Sequence, residues 1–180
     1  MALTATIYNF TVELADVGRG LYETLDLRVA RHPSESAEYM LTRVLAYAME
    51  YKDGIAMTEG VSSGDEPAIV VRDLTGRITA WIEVGLPDAA RLHRASKHTD
   101  RVAVYTHRDM RRLVDQYAGQ KIHRADQIPI VAFDRTFIDE AAACLDRRSR
   151  IAIALTEGEL YVDIDGRTWQ TTPVEQRAGN

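Results

Sequence analysis

The chain has 180 residues, 46% of them hydrophobic, and a formal net charge of −5 at pH 7. That suits one domain around one sizeable core, and the acidic balance excludes a generally basic surface while leaving room for a local basic patch. No apolar run approaches the roughly 20 residues that span a bilayer, and no secretion signal opens the chain, so a soluble, unexported cytoplasmic protein without a membrane partner is expected.

From Thr4 to Leu14, Tyr8, Phe10, Val12 and Leu14 alternate with Asn9, Thr11 and Glu13, the period of a half-buried strand. A turn at Gly18 and Gly20 leads to a second strand with Leu25, Leu27 and Val29 on one face, which predicts an antiparallel pair. His32-Pro33-Ser34-Glu35 then marks a helix start, with Ser34 as N-cap and Glu35 in the first turn. The helix is expected to run to about Lys52, with Leu41, Val44, Leu45 and Ala48 as its core stripe. Glu38 continues that stripe; it is either a solvated glutamate complementing the helix dipole or a carboxylate of a metal or catalytic site.

A short strand at Ile55 to Met57 and a loop at Val61 to Gly64 precede a hairpin formed by Ala68 to Asp73 and Arg77 to Val84. Asp73-Leu74-Thr75-Gly76 has the residues of a type I turn leading into a Gly bulge. With Asp73 opposite Arg77, counting outward sets Pro67 opposite Glu83 and puts Asp65 on the Glu83 face; a shift of one residue selects Glu66 instead. Either way acidic side chains meet near one end of the hairpin, where magnesium or manganese would relieve their repulsion and activate a water beside a phosphate. Acidic hairpin ends on surfaces are common, and a solvated end is the competing reading.

Pro87 and Asp88 open a helix running to about His98, with Arg91, Arg94 and Lys97 at every third position. Between Arg91 and Arg112 seven Lys or Arg residues face two Asp, a local net of +5 in a chain of net −5. Such segregation is either a solvated helix face or the footprint of a polyanion. Val102 to Tyr105 follows as a buried strand, parallel to the one before the helix. A helix over His107 to Tyr117, a strand over Ile128 to Phe133 and a helix from Thr136 to Leu145, capped by Asp134 or Thr136, come next. In that last helix Cys144, the single cysteine, reads as a small buried hydrophobe that can form no internal disulfide. Ile151 to Leu155 and Leu160 to Ile164 form a final hairpin, and the polar tail from Thr171 is expected to fray, leaving a domain over 1–170 and a tail over 171–180. The five histidines form no zinc-like cluster, and no Gly-rich phosphate loop precedes a helix.

The opening MALTATIY, the segments ARHPSE (Ala30 to Glu35) and DEP (Asp65 to Pro67), and WIEVGLPD (Trp81 to Asp88) occur in the order seen in the YaeQ family, which the chain resembles over nearly its whole length. The resemblance implies an α/β (α+β) fold: a single compact domain with a mixed sheet flanked by helices, a variant of the PD-(D/E)xK nuclease fold. It further implies metal-dependent phosphodiester hydrolysis, with Asp65 (or Glu66), Glu83 and Glu38 as metal acids for magnesium or manganese and nucleic acid as partner. The motif lysine would fall at Gly85, so Lys97 on the following helix is the replacement that acts with Glu83, and Arg91 and Arg94 hold the phosphate backbone. Lys97 lies nine residues beyond Asp88, about 13 Å along a helix axis, and reaches the acids only if that helix folds back over them. A nuclease-like fold without cleavage, binding nucleic acid or a protein as a regulator, is the alternative.

Overall fold

The computed structural model describes residues 4–59 and 65–179; the loop expected at Val61 to Gly64 lies outside them. Strands β1 (Thr6–Asp16) and β2 (Leu21–Arg31) pair antiparallel along their full length, and alternation buries Phe10, Val12, Leu14 and Val29. Helix α1 (Ala37–Met49) starts later than expected, with Ser36 rather than Ser34 as N-cap: its hydroxyl accepts from the Tyr39 N–H at 3.1 Å. Three strands follow, β3 (Ile55–Met57), β4 (Ile69–Arg72) and β5 (Ile78–Val84), then α2 (Ala89–His98) and β6 (Arg101–Thr106). The second half contains α3 (Met110–Tyr117), β7 (Pro129–Ala132), α4 (Arg135–Ala142), β8 (Arg148–Thr156), β9 (Glu159–Ile164), β10 (Arg167–Thr171) and β11 (Val174–Arg177).

The strands form two mixed sheets rather than one. The five-stranded sheet has the order β10-β9-β8-β1-β2, mixed because β1 and β8 run parallel; the six-stranded sheet has the order β11-β7-β6-β5-β4-β3, with β5, β6 and β7 parallel. One core joins residues of both sheets to α1 and α4. This explains why Met40 through Ala48 are all buried: a helix with a sheet on either side has no solvent face, and even Thr42 and Arg43 are enclosed. The i, i+3, i+4 stripe of the sequence describes only one side of such a helix. A smaller core joins α2 and α3 to the opposite face of the six-stranded sheet through Leu92, Val104, Leu113 and Ile130. The tail expected to fray instead contains β11, which pairs antiparallel with β7, and Ala178 is buried beside it. The domain is thus a mixed α+β unit with four α-helices among the described residues.

Candidate functional site

The turn Asp73–Gly76 forms as its residues demand: the Gly76 N–H donates to the Asp73 carbonyl at 3.0 Å, Asp73 Oδ1 accepts from Thr75 and Arg77 N–H groups, and Gly76 takes φ +85°. A bulge between Val71 and Arg72 then changes the pairing, so that Val71 faces Ala80 and Ile69 faces Ile82. Carried one residue further, that register sets Ala68 rather than Pro67 opposite Glu83. The bulge removes the count that puts Asp65 on the Glu83 face, and Asp65 and Glu66 both precede β4, outside the alternation of that strand; the sequence shows the turn but not the bulge behind it.

Strand β5 alternates between two layers. Ala80, Ile82 and Val84 enter the core shared with α1, while Trp81 packs against the core of α2 and α3, and Glu83 pairs with Arg91 of α2. Glu83 is 5% exposed; its Oε1 accepts from Trp81 Nε1 at 2.6 Å and from Arg91 Nε. Arg91 also donates through Nη2 to the Glu66 carbonyl, and its guanidinium carbon stands 5.7 Å from the Trp81 ring centroid. Burial lifts the Glu83 carboxyl above its ordinary range, while the hydrogen bonds from Trp81 and Arg91 pull it the other way. The start of α2 is set by Asp88, whose Oδ1 accepts from the Arg91 N–H at 2.7 Å, so the N-cap also positions the residue that meets Glu83.

The place of the missing lysine has a left-handed backbone with a tyrosine alongside it. Gly85 takes φ +99°, a conformation other residues rarely adopt, and a Cβ there would lie 3.5 Å from Tyr39 Cε2. Burial pushes the Tyr39 phenol up to about 12, with Glu35 and Glu83 reinforcing the shift and Arg43 and Arg91 opposing it. Glu35 and Arg43, a buried ion pair at 3.5 Å, were not legible as partners in the sequence, where Glu35 reads as a first-turn glutamate. Arg43 also donates to the Ala30 carbonyl at 2.9 Å, tying α1 to the end of β2.

Glu38 looks elsewhere. It lies on α1, within the electrostatic reach of His107 and Arg31, and its own backbone N–H and the Ser36 hydroxyl hold its carboxyl below the ordinary range. His107, at the end of β6, is 5% exposed and hydrogen-bonds through Nδ1 to Thr42 Oγ1 at 3.1 Å. Since the Thr42 hydroxyl donates to the Glu38 carbonyl, it accepts from His107, which sets the imidazole proton on Nδ1. Among the described residues no three His, Cys, Asp or Glu side chains are grouped to hold a metal ion. Glu38, Asp65 and Glu83 therefore do not form a ready ligand set for magnesium or manganese, and a site whose buried acid already holds an arginine does not fit the ion. Lys97 is exposed near the C-terminal end of α2, away from the Glu83–Arg91 contact made in its first turn.

What the residues do assemble is a groove of about 340 Å³ between α2 and the hairpin, lined among others by Asp65, Arg77, Trp81, Arg91, Arg94 and His98. Arg77 pairs with Asp100 at 2.7 Å. Arg94 is exposed and makes no ion pair among the described residues.

The family model described as YaeQ protein matches residues 1–173. The chain belongs to the YaeQ family. An uncharacterised YaeQ protein of Escherichia coli is 31% identical over 166 residues, 92% of each chain. The crystal structure of the YaeQ protein from Pseudomonas syringae superposes with a TM-score of 0.88 at 32% identity, covering 95% of both chains. That of Xanthomonas axonopodis pv. citri gives 0.88 at 27% identity, covering 96% of this chain and 98% of the other. The chain therefore shares its overall fold with these two YaeQ proteins.

Proposed function

We propose that this YaeQ chain is a nuclease-type scaffold that binds nucleic acid without cleaving it. The observation that carries the reading is the commitment of Glu83: the acid that would hold a metal is buried and bonded to Arg91 and Trp81. Gly85, in place of the motif lysine, has no side chain to act beside the acid and has a left-handed backbone that side chains rarely adopt. The exposed cations Arg94 and Lys97 on the same helix remain available for phosphate, which concentrates positive charge on one face of an acidic protein.

One observation favours hydrolysis as the second reading. A mixed sheet flanked by helices carries acids before β4 (Asp65 and Glu66) and near the end of its hairpin partner β5 (Glu83), which supports the nuclease-like resemblance.

Both readings are separated by one experiment. The purified protein is incubated with single- and double-stranded DNA and RNA, with magnesium, manganese or EDTA, beside Glu83→Ala and Arg94→Gln/Lys97→Gln. Binding that weakens in the Arg94→Gln/Lys97→Gln variant, with no cleavage under any condition, is the expected result. Metal-dependent cleavage abolished by Glu83→Ala establishes the enzyme instead, and absence of both binding and cleavage sinks the two together.

A further inference from the structure

The groove beside α2 has features that a basic patch for a duplex does not need. It is concave, about 340 Å³, at the small end of ligand pockets, and its wall includes a tryptophan. That indole is held by two contacts: Nε1 donates to the buried Glu83, and the Arg91 guanidinium stands 5.7 Å from the ring centroid. It is a fixed aromatic surface bordered by cations, with Arg94 free of any ion pair among the described residues. Asp65, the carboxylate lining the groove, can accept hydrogen bonds from the amino or imino edge of a base. A double helix keeps its base faces stacked and presents phosphates on a convex surface, so it could use Arg94 but not the recessed Trp81. An unstacked nucleotide can use both.

We infer that this groove is a single-nucleotide pocket for single-stranded nucleic acid, in which a base packs against Trp81 and its phosphate is held by Arg94. The inference rests on the nucleic-acid-binding reading and names its substrate class. Arg91 lies over the Trp81 ring, so a base packs on the part of the indole that borders the groove, and Arg91 remains bonded to Glu83, so the acid keeps the recognition surface in shape rather than acting on the phosphate.

The test measures binding of a fluorescent single-stranded 12-mer and the duplex of the same sequence by anisotropy in EDTA, for the parent, Trp81→Leu, Trp81→Phe and Arg94→Gln, with thermal melts as a check of folding. The parent is expected to favour the single strand by about tenfold or more. Trp81→Leu loses about tenfold on the single strand and little on the duplex, while Trp81→Phe, which retains a ring, keeps most of the affinity. Arg94→Gln weakens both ligands and lowers the salt slope by about one. Equal affinity for the two ligands, with Trp81→Leu folded and without effect, overturns the pocket and leaves the wider reading standing. No binding of either ligand overturns both. Should Trp81→Leu fail to fold, the parent's preference and quenching of its tryptophan fluorescence by the single strand but not the duplex decide the matter: their absence overturns the pocket.

Discussion

Replacing Arg91 by methionine isolates what holds the site together. The change keeps the aliphatic stem that packs beside Trp81 but leaves the Glu83 carboxylate, 5% exposed, with the Trp81 N–H and without the Arg91 cation. Removing one partner of a buried ion pair costs about 3–5 kcal/mol, which at about 2–4 °C per kcal/mol for a chain of this size lowers the melting temperature by roughly 6–20 °C. The reverse deletion is milder. Glu83→Gln leaves a positive charge on a side chain that is 22% exposed and can turn toward water, at a cost of about 1–2 kcal/mol. The double variant Glu83→Gln/Arg91→Met removes both charges and regains much of the loss, so the cycle yields a coupling of about 2 kcal/mol. The pH dependence has a definite sign. Without Arg91 the folded carboxyl lies still further above its unfolded value, so the Arg91→Met protein binds a proton more tightly when folded and is destabilised most as pH rises above that raised value. Thermal melts at pH 5 and pH 8 measure this. An Arg91→Met protein melting within about 2 °C of the parent at pH 8 would refute the claim that Glu83 depends on this cation.

Three further outcomes follow from the same geometry. Gly85→Lys, which writes in the missing motif residue, is expected to lose about 1–3 kcal/mol in chemical denaturation and to gain no cleavage: the φ of +99° supplies the cost, since a Cβ at 3.5 Å from Tyr39 is an ordinary contact. A stable, cleaving Gly85→Lys would show that the site tolerates the lysine. Burial holds the His107 imidazole below its ordinary value, with Arg108 adding to the shift and Glu38 and Asp139 opposing it, while Arg135 also lowers it. Its contribution is therefore complete above about pH 6.5 and is lost as pH falls through the depressed folded value; His107→Gln should flatten the melting temperature between pH 7 and pH 5, and an unchanged slope counts against it. Arg43→Met leaves buried Glu35 without its cation and Glu35→Gln leaves the equally buried Arg43 without its anion, so each should cost about 3–5 kcal/mol; a loss under about 1 kcal/mol for either, measured by denaturant midpoint, would contradict the buried pair.

Much of the local structure was readable because it depends on near neighbours. The alternation of β1 and β2, the Asp73–Gly76 turn and the Asp88 and Asp134 caps follow from residues a few positions apart, and the parallel step from β5 across α2 to β6 follows from three successive elements. The family, too, was carried by short ordered segments and agrees with the match over residues 1–173. The second sheet was not readable, since β1 and β8 meet across more than a hundred residues and both strands look half-buried with or without each other.

The sequence alone determined which residues are acidic and basic, that the cations cluster after Asp88, and that no lysine stands at Gly85. Only the tertiary structure decided whom each charge faces. Strand alternation turned Glu83 toward α2 while α1 kept Glu38 near His107, and a single bulge between Val71 and Arg72 shifted the hairpin register by one residue. A buried charge must find a partner in three dimensions, and spacing along the chain measures only the reach of one element; Arg91, which reads as one member of a basic stripe, is the partner that defines the site.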